Sequence, residues 1–514
     1  EDFLYSLLLI LPISLALVIK LIFKQKKDNK NLNLPPCPPT LPIIGNLHLL
    51  IGNMPHQSLQ HLAQKFGPII FLQIGEVPTI VISSARLARK ALKNLDLALA
   101  SRPRIFSAKH LFYNCSDIAF SPYGAYWRNI RKICILELLS AKRVQSFSFV
   151  REEEVANLVH CVAKSYPNAT NLSSVLGMYA NNVVCRVAFG KDFSQDGDHV
   201  RHNFQKLLEE YQMLLGGFSI GDFFPSMEFM HKLTGMESRL KDTFKRFDQF
   251  FDEILKEHQN PAERKDQKDL VDVLLEIQQN GDLETPLTTD NIKAIILDMF
   301  AAGTDTNFIT LDWAMTELIM NPKTLERARA EIRSIVKERR PISENDLPHL
   351  HYMKAVIKET FRLHPPAPVL LPRESMEDVT IDGYKIPAKT RFFINAWAIG
   401  RDPESWENPE IFEPERFMIK NSHIDFKGQD FELIPFGAGR RICPAITFSM
   451  ATVELALAQL LHSFDWQLPP GIEAKDLNLT EAFGITMHKI SPLMVVAKPY
   501  FPEGSRIEEQ RKIR

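Results

Sequence analysis

One cysteine of this chain lies in a context that suits a metal ligand. Residues 435–445 read PFGAGRRICPA, so Cys443 follows a glycine-rich loop and directly precedes Pro444 and an apolar stretch. Because proline suits the first helical position, we expect a helix to begin at Pro444. The N–H groups and positive dipole end of a helix stabilise a thiolate, the form of cysteine that binds metals. Cys443 is therefore a candidate metal ligand, and a buried thiol beside a tight turn is the alternative.

The residues around Cys443 suit a flat ligand that carries negative charge. Gly437 and Gly439 have no Cβ to obstruct such a ligand, and they allow the backbone to turn tightly. Arg441, two residues before the sulfur, can reach an anionic group beside it. The other five cysteines form no CxxC pair and no metal-type spacing, so we interpret them as free thiols: Cys37, Cys115, Cys134, Cys161 and Cys185.

A second candidate segment is Ala301-Ala-Gly-Thr-Asp-Thr306, inside a long apolar run. Glycine in the middle of a helix costs about 1 kcal/mol relative to alanine, so Gly303 requires a structural reason. Ala302 and Thr306 are four residues apart and share one helix face, where a small residue leaves room for a flat cofactor and for oxygen. The Thr306 hydroxyl can also bond the carbonyl one turn earlier, and in an ordinary buried helix that would be its whole role.

The spacing Phe436-x-x-Gly439-x-Arg441-x-Cys443 resembles the heme-binding signature of cytochromes P450. The resemblance implies that Cys443 supplies the sulfur ligand to the iron of heme b. The family usually has glycine two residues after the cysteine, where this chain has Ala445, and we expect the extra methyl group to change the seating of heme only slightly. The resemblance assigns heme contacts in this segment to Pro435, Phe436, Gly437, Arg441, Cys443 and Ala445.

The helix segment also matches the family in order and spacing. The resemblance implies that Thr306 and Asp305 help deliver protons to oxygen and that Ala302 lies beside the heme. Asn307 stands where the family often has serine or threonine. These roles are expectations from the resemblance and do not follow from the spacing alone.

Two further groups of residues resemble structural and heme-binding positions of the family. Glu359, Arg362 and Arg416 resemble its buried Glu-Arg-Arg cluster, which implies that they hold the loop carrying Cys443. Two charges three residues apart on a surface helix would otherwise contribute only a few tenths of a kcal/mol. The remaining donors resemble partners of the heme propionates, because an indole N–H and planar guanidinium groups suit carboxylates: Trp127, Arg131 and Arg373.

The substrate pocket is assigned by family position alone. Most of its residues are apolar, which suits a hydrophobic ligand, although each could also be ordinary core. Asp298 is the exception: it could meet a basic nitrogen of a substrate, but we expect it to pair with a nearby lysine. The pocket residues are Ile295, Asp298, Met299, Ala302, Ala367, Val369, Leu370, Phe483 and Ile485.

The elements that must position these residues are mainly helices with small β-sheets. We predict helices at 142–165, 200–215, 236–259, 289–320, 324–339, 348–363 and 444–464. Strand pairs are predicted within 68–83, within 379–396, and between 484–488 and 493–498. One catalytic domain with the cytochrome P450 fold then spans 46–503, before a polar tail at 504–514.

The first residues predict a membrane anchor. Residues 3–23 are almost entirely apolar and close to the ~20 residues that cross a bilayer, and a basic stop and proline-rich hinge follow at 24–45. Positive flanks stay on the cytosolic side, so the catalytic domain is expected on the cytosolic face of the endoplasmic reticulum membrane. A cleaved signal peptide is the alternative that we weighed.

Charge and motifs together indicate a partner-dependent oxidoreductase. The 61 basic and 62 acidic residues nearly cancel, which gives no support to nucleic-acid binding. No dinucleotide-binding fingerprint is present, so the resemblance implies that electrons come from NADPH through a cytochrome P450 reductase of the same membrane.

The sequence of several short segments, among them PPCPPTLPIIGN, AGTDT and FGAGRRICPA, resembles the plant microsomal branch of the family, the 71 clan of specialised metabolism. It implies a monooxygenase that uses O2 to hydroxylate or oxidatively cyclise a hydrophobic terpenoid or terpenoid indole alkaloid. Two alternatives stay open at this point: an oxygen-independent heme-thiolate isomerase or dehydratase, and a non-catalytic membrane heme protein.

Overall fold

The computed structural model describes residues 33–52, 54–191, 197–216, 219–259, 267–280, 286–336 and 340–500. The predicted anchor at 3–23, the first part of the basic and proline-rich segment, and the tail at 504–514 lie outside these residues. Within the described ranges, no helix combines the length and the hydropathy needed to cross a bilayer. The prediction of a mainly helical protein with small β-sheets is confirmed.

Helices form most of the described chain. The amino-terminal half contains α1 Pro55–Phe66, α2 Ala85–Arg89, α3 Phe106–Leu111, α4 Ala125–Ile133, α5 Ala141–Ser146, α6 Ser148–Ser165, α7 Leu172–Phe189, α8 Gly197–Gly216, α9 Ile220–Phe223, α10 Met230–Leu233 and α11 Met236–His258. The carboxyl-terminal half contains α12 Leu270–Asn280, α13 Thr289–Met320, α14 Pro322–Ile335, α15 His351–Leu363, α16 Ala396–Ile399 and α17 Ile446–Ser463.

The strands form three small sheets. They are β1 Ile69–Ile74, β2 Val77–Ile82, β3 Thr170–Asn171, β4 Arg373–Glu374, β5 Val379–Ile381, β6 Tyr384–Ile386, β7 Arg391–Ile394, β8 Phe464–Gln467 and β9 Met494–Pro499. The first sheet has the order β1-β2-β7-β4, with β2 and β7 parallel, the second β3-β9-β8, and the third is the β5-β6 hairpin.

Helix α13 is the axis around which the core packs. It begins with a capping box, because the Thr288 hydroxyl accepts the Asn291 N–H and the Asn291 side chain accepts the Thr288 N–H. Most of its 32 residues are buried, and it packs along α7 more extensively than any other described pair of elements does. Gly303 has its structural reason here, since a Cβ at this position would lie 3.1 Å from the Val184 side chain of α7.

Three details of the predicted elements are wrong. The last helix begins at Ile446 rather than at Pro444, because Pro444 and Ala445 form a turn after Cys443. The predicted helix at 142–165 is divided at Phe147 into α5 and α6. Residues 484–488 form no strand. Strand β9 pairs instead with β3, which lies far earlier in the sequence, and with β8.

Candidate functional site

The loop that carries Cys443 is closed by its own backbone. The Cys443 N–H donates to the Phe436 carbonyl over 2.9 Å, and Gly437 and Gly439 both have φ of +69°, a conformation that favours glycine. A Cβ on Gly439 would lie 2.3 Å from the Asp96 carboxylate and 2.4 Å from the Leu92 carbonyl. A Cβ on Gly437 would meet only a Leu370 methyl group at 3.8 Å. Gly439 therefore permits close packing of the loop against Leu92 and Asp96, whereas Gly437 leaves open space beside the loop.

The charge state of Cys443 is set by opposing influences. Burial raises the pKa of the thiol, while the Ala445 N–H, which donates to Sγ over 3.4 Å, and the Arg131 guanidinium lower the pKa. Arg131 also donates to the carbonyl of Ile442, the residue before the cysteine. A cation and an N–H group thus face the sulfur even though its helix begins later than predicted.

Four arginines gather beside this loop: Arg102, Arg131, Arg373 and Arg441. Burial, followed by repulsion from Arg441 and Arg373, lowers the pKa of Arg102 well below its usual value. Burial and the Arg373 charge lower the pKa of Arg441 to about 9, and burial lowers the pKa of Arg373 to about 10. These guanidinium groups repel one another, so the place where they meet has a strong preference for anions.

Backbone carbonyls orient these cations. Arg441 donates to Ala100 and Ser121 over 2.6 Å each, and Arg373 donates to Ala438 over 2.7 Å. The Trp127 indole donates to the Ile118 carbonyl over 3.0 Å, and the Arg441 guanidinium lies 4.0 Å from its ring centre. In the described structure, Trp127 and Arg131 therefore bond backbone groups of neighbouring loops.

The arrangement fits the heme b that the resemblance implies. Gly437 of the Cys443 loop has open space at its Cα apart from a Leu370 methyl group, and the cations beside the loop suit a group with two carboxylates. Ala302 is exposed although it lies in a helix that is otherwise mostly buried, and the same helix is bonded to α17, which follows Cys443, through Asn307 and Ser449. A thiolate-bound heme needs a sulfur ligand, room for a flat ring and cations for its propionates, and these residues are candidates for each.

The proton-delivery candidates lie on the same helix, one turn beyond Ala302. The Thr306 hydroxyl donates to the Ala302 carbonyl over 2.7 Å. Burial raises the pKa of Asp305, and the Thr486 hydroxyl, which donates to this carboxylate, lowers the pKa. Asn307, where the family often has serine or threonine, donates to the Gly303 carbonyl over 2.8 Å and accepts the Ser449 hydroxyl over 2.6 Å.

Glu359, Arg362 and Arg416 lie together in the core. Arg362 donates twice to the Glu359 carboxylate, over 2.7 and 2.8 Å, and Arg416 donates to it over 3.0 Å. All three are buried, with Glu359 and Arg362 at 0% and 1% exposure. The remaining donors of Arg362 bond the carbonyls of Gly400, Pro409 and Ile411.

An aromatic contact connects this cluster with the Cys443 loop. Phe361, next to Arg362 on α15, packs edge-on against Phe436 with ring centres 5.1 Å apart. Phe426 contacts both rings, at 5.6 and 5.5 Å. The cluster holds α15 in place, and Phe361 of α15 packs against Phe436 near the start of the loop.

The predicted pocket residues differ in how far they are buried. Met299, Ala367, Val369, Leu370 and Ile485 are half-buried, and Leu370 has a left-handed φ of +51°, a strained conformation of the kind that often lies at binding sites. Ile295 is fully buried in the core. Phe483 is half exposed and lines an outer cleft of about 720 Å³ together with Trp313 and Trp397.

The expectation that Asp298 pairs with a lysine is wrong. Its carboxylate accepts the backbone N–H groups of Ile118 and Ala119, over 2.6 and 3.3 Å. Lys293, one and a half turns earlier, pairs instead with Asp248 and Asp252 over 2.6 Å each. Asp298 therefore ties the 117–120 loop to α13.

Three residues that the structure places beside predicted site residues were not singled out by sequence reasoning. Arg102 follows the buried run Ala98–Ala100, and an arginine at the end of an apolar run could have indicated a buried cation. Asp117 is fully buried, and burial raises its pKa to about 7. Thr486 bonds Asp305 from a loop 181 residues away in sequence, so no local pattern could indicate that contact.

The chain resembles known proteins over nearly its whole length. The Cytochrome P450 family model matches residues 35–494. Cytochrome P450 71AP13 of Prunus mume is 71% identical and covers 95% of both chains. Strychnine-11-hydroxylase of Strychnos nux-vomica is 47% identical, covering 96% of this chain and 97% of that protein.

Two further comparisons extend this likeness. Premnaspirodiene oxygenase of Hyoscyamus muticus is 46% identical, covering 95% of this chain and 98% of that protein. A solved structure of a zebra fish cytochrome P450 with abiraterone superposes with a TM-score of 0.74 at 27% identity, over 87% of this chain and 99% of that chain. Both the sequence and the fold are therefore shared with one family.

Proposed function

The chain belongs to the cytochrome P450 family, in its plant 71 clan, and we propose that it hydroxylates or oxidatively cyclises a hydrophobic plant metabolite. As a member of that family it is a monooxygenase with heme b that receives electrons from NADPH through a reductase. The observation that carries the proposal is the Cys443 loop, which lies beside buried arginines and leads into α17, the helix that is bonded to α13 through Ser449 and Asn307.

Heme supplies the activation of O2 and the insertion of one oxygen atom into the substrate. In this proposal Cys443 is its sulfur ligand, and the arginines Arg102, Arg131, Arg373 and Arg441 hold its propionates together with Trp127. Arg102 is our addition to the predicted set, because its charge already acts on the other buried arginines. The fixed carbonyl partners of these side chains mean that little reorientation is needed on binding.

Thr306 and Asp305 are the proposed proton relay. The Thr306 hydroxyl donates to the Ala302 carbonyl, so its oxygen has a fixed position on α13 beside Ala302. Burial raises the pKa of Asp305, which favours the protonated form that a relay needs in order to pass a proton on.

A terpenoid or terpenoid indole alkaloid is the proposed substrate class. The half-buried pocket residues Met299, Ala367, Val369, Leu370 and Ile485 are apolar, so they favour a hydrophobic ligand. Relatives are named for the hydroxylation of strychnine and for the oxygenation of premnaspirodiene. Asp298 is occupied by backbone N–H groups and is therefore not proposed to bind a basic nitrogen.

The proposed location is the cytosolic face of the endoplasmic reticulum membrane. Residues 3–23 would be the anchor, 24–45 the basic stop and hinge, 46–503 the catalytic domain and 504–514 a polar tail. Exposed apolar side chains support a lipid-facing rim at the start of the described chain and near α10: Leu41, Ile43, Ile51, Phe229 and Leu233. The β1–β2 turn joins the two segments, since the Gly75 N–H donates to the Ile44 carbonyl over 3.2 Å and the Glu76 N–H to the Phe223 carbonyl over 2.7 Å.

The test uses the full chain in microsomes with a plant reductase. We expect the Soret shift of the reduced carbonyl complex, then binding shifts with members of a panel of strychnine, premnaspirodiene and related alkaloids and terpenoids. A binding compound should be converted only when NADPH, reductase and O2 are present. Conversion without NADPH would instead indicate an isomerase or dehydratase, and binding with no product from any panel compound would contradict the proposed substrate class.

A further inference from the structure

The loop at 481–489 contacts α13 beside the proposed proton relay. The hydroxyl of Thr486, a buried residue, donates a hydrogen bond to the Asp305 carboxylate. Asp305 lies one residue before Thr306, whose hydroxyl is fixed on the Ala302 carbonyl. A side chain from outside the helix thus reaches the acidic member of the relay.

The same loop forms part of the wall of the pocket. Ile485, next to Thr486, is half-buried and belongs to the predicted pocket set. Gly216, the last residue of α8, packs directly on the loop, because a Cβ there would lie 2.0 Å from the Ile485 nitrogen and 2.4 Å from the Gly484 carbonyl carbon. The loop is therefore clamped between the end of α8 and the middle of α13.

Both ends of the loop are anchored independently of Thr486. The Glu481 carboxylate lies 2.9 Å from the buried His56 imidazole of α1. At the other end, Lys489 pairs with Asp312 of α13 over 3.1 Å, and both side chains are almost completely buried. These anchors fix the path of the backbone, so the position of the Thr486 hydroxyl is set by more than its bond to Asp305.

We propose that Thr486 is a positioning residue of the monooxygenase reaction, which orients the Asp305 carboxylate and thereby joins the pocket wall to the proton relay. The inference rests on the proposed role of Asp305. A carboxylate held by a donor on a clamped loop keeps one orientation, and proton transfer requires donor and acceptor within hydrogen-bond reach. A valine at position 486 would retain the shape of the side chain but could not donate.

A double-mutant cycle tests this role in the full-length holoprotein with reductase. The readout is the rate of NADPH oxidation per carbonyl-binding heme, measured with no added compound and again with the best-binding panel compound. We expect T486V and D305N to lower the rate by about tenfold or more, because a positioned proton donor contributes about 10²–10⁴-fold. The double variant D305N/T486V should be no slower than D305N.

Two variants separate positioning from a merely structural role. T486S retains the hydroxyl and should recover most of the rate, with KM for the panel compound unchanged. T480V, a change at an exposed threonine of the neighbouring turn, should match the wild type. Should T486V fail to form the carbonyl complex, T486A provides the same loss of the donor with less bulk.

The proposal is overturned if T486V keeps the wild-type rate, if T486S is as slow as T486V, or if the two losses multiply in the double variant. Each of these outcomes leaves the monooxygenase activity of the wild type intact, so it refutes the positioning role alone. A wild-type protein without the Soret shift of the carbonyl complex would overturn both this inference and the proposed function on which it rests.

Discussion

We expect Glu359→Gln to lower the free energy of unfolding by about 3–5 kcal/mol, the range found when one member of a buried ion pair is removed. Glu359 is fully buried and accepts three bonds from Arg362 and Arg416, as well as the Glu413 N–H over 2.8 Å. Glutamine keeps the size of the side chain but removes its charge. Two buried guanidinium groups would then face each other without the anion that lies between them.

The assay is the midpoint of thermal unfolding of the heme-loaded protein. For a domain of this size the unfolding entropy is roughly 1 kcal/mol per degree, so the midpoint should fall by about 3–5 °C. Glu276→Gln is the matched control, because this exposed carboxylate pairs with Lys268 and should contribute below about 1 kcal/mol.

The reasoning also predicts a local consequence. Phe361 lies next to Arg362 and packs on Phe436, so loosening α15 should weaken the retention of heme more than a remote change of equal cost does. A midpoint for Glu359→Gln within the error of the Glu276→Gln control would refute the argument, because it would mean that the buried charge carries no net stabilisation.

Three further changes test the site. Cys443→Ser should abolish the Soret shift of the reduced carbonyl complex while the far-ultraviolet dichroism stays helical; persistence of the shift would disprove the ligand assignment. Thr306→Ala should lower product formed per NADPH by about tenfold, since a positioned proton donor contributes about 10²–10⁴-fold, and unchanged coupling would speak against the relay. Burial raises the pKa of Asp117 to about 7, above the value of an unfolded aspartate, so the folded state binds more protons between these values and stability should fall as pH rises from 4 to about 7. Asp117→Asn should flatten this decline, and unfolding midpoints that decline in parallel for both proteins would contradict it.

Elements with strong local signals were predicted from the sequence with small errors. The helix at 289–320 was predicted with its observed bounds because the run is largely apolar, and the capping box of Thr288 and Asn291 fixes its start in the structure. The β1–β2 hairpin turns at Gly75 and Glu76 as predicted. These features depend on residues within a few positions of one another, and that is the range over which sequence patterns act.

The strand at 493–498 was predicted and is observed as β9, but its pairing with a strand distant in the sequence was not. The strand β9 pairs with the two-residue β3, more than 300 positions earlier, so no local alternation of apolar residues indicates the partner. Residues 484–488 alternate as a strand would, yet side-chain contacts and single backbone bonds hold them, such as that from the Met487 N–H to the Pro366 carbonyl. An alternating pattern predicts that one face of the segment is buried, but it does not predict that the backbone pairs with another strand.

The side-chain partners that sequence reasoning missed are largely backbone groups, and this has a physical reason. Asp298 accepts the N–H groups of Ile118 and Ala119, while Arg441 donates to the carbonyls of Ala100 and Ser121. Every residue type except proline offers the same N–H and C=O groups, so such a partner leaves no mark in the sequence. Ion pairs such as Glu359 with Arg362 require particular residue types, which is why the family resemblance could indicate them. Part of the set of charged site residues could therefore be predicted from the sequence. The loops that bond to those residues through backbone groups could be identified only in the folded structure.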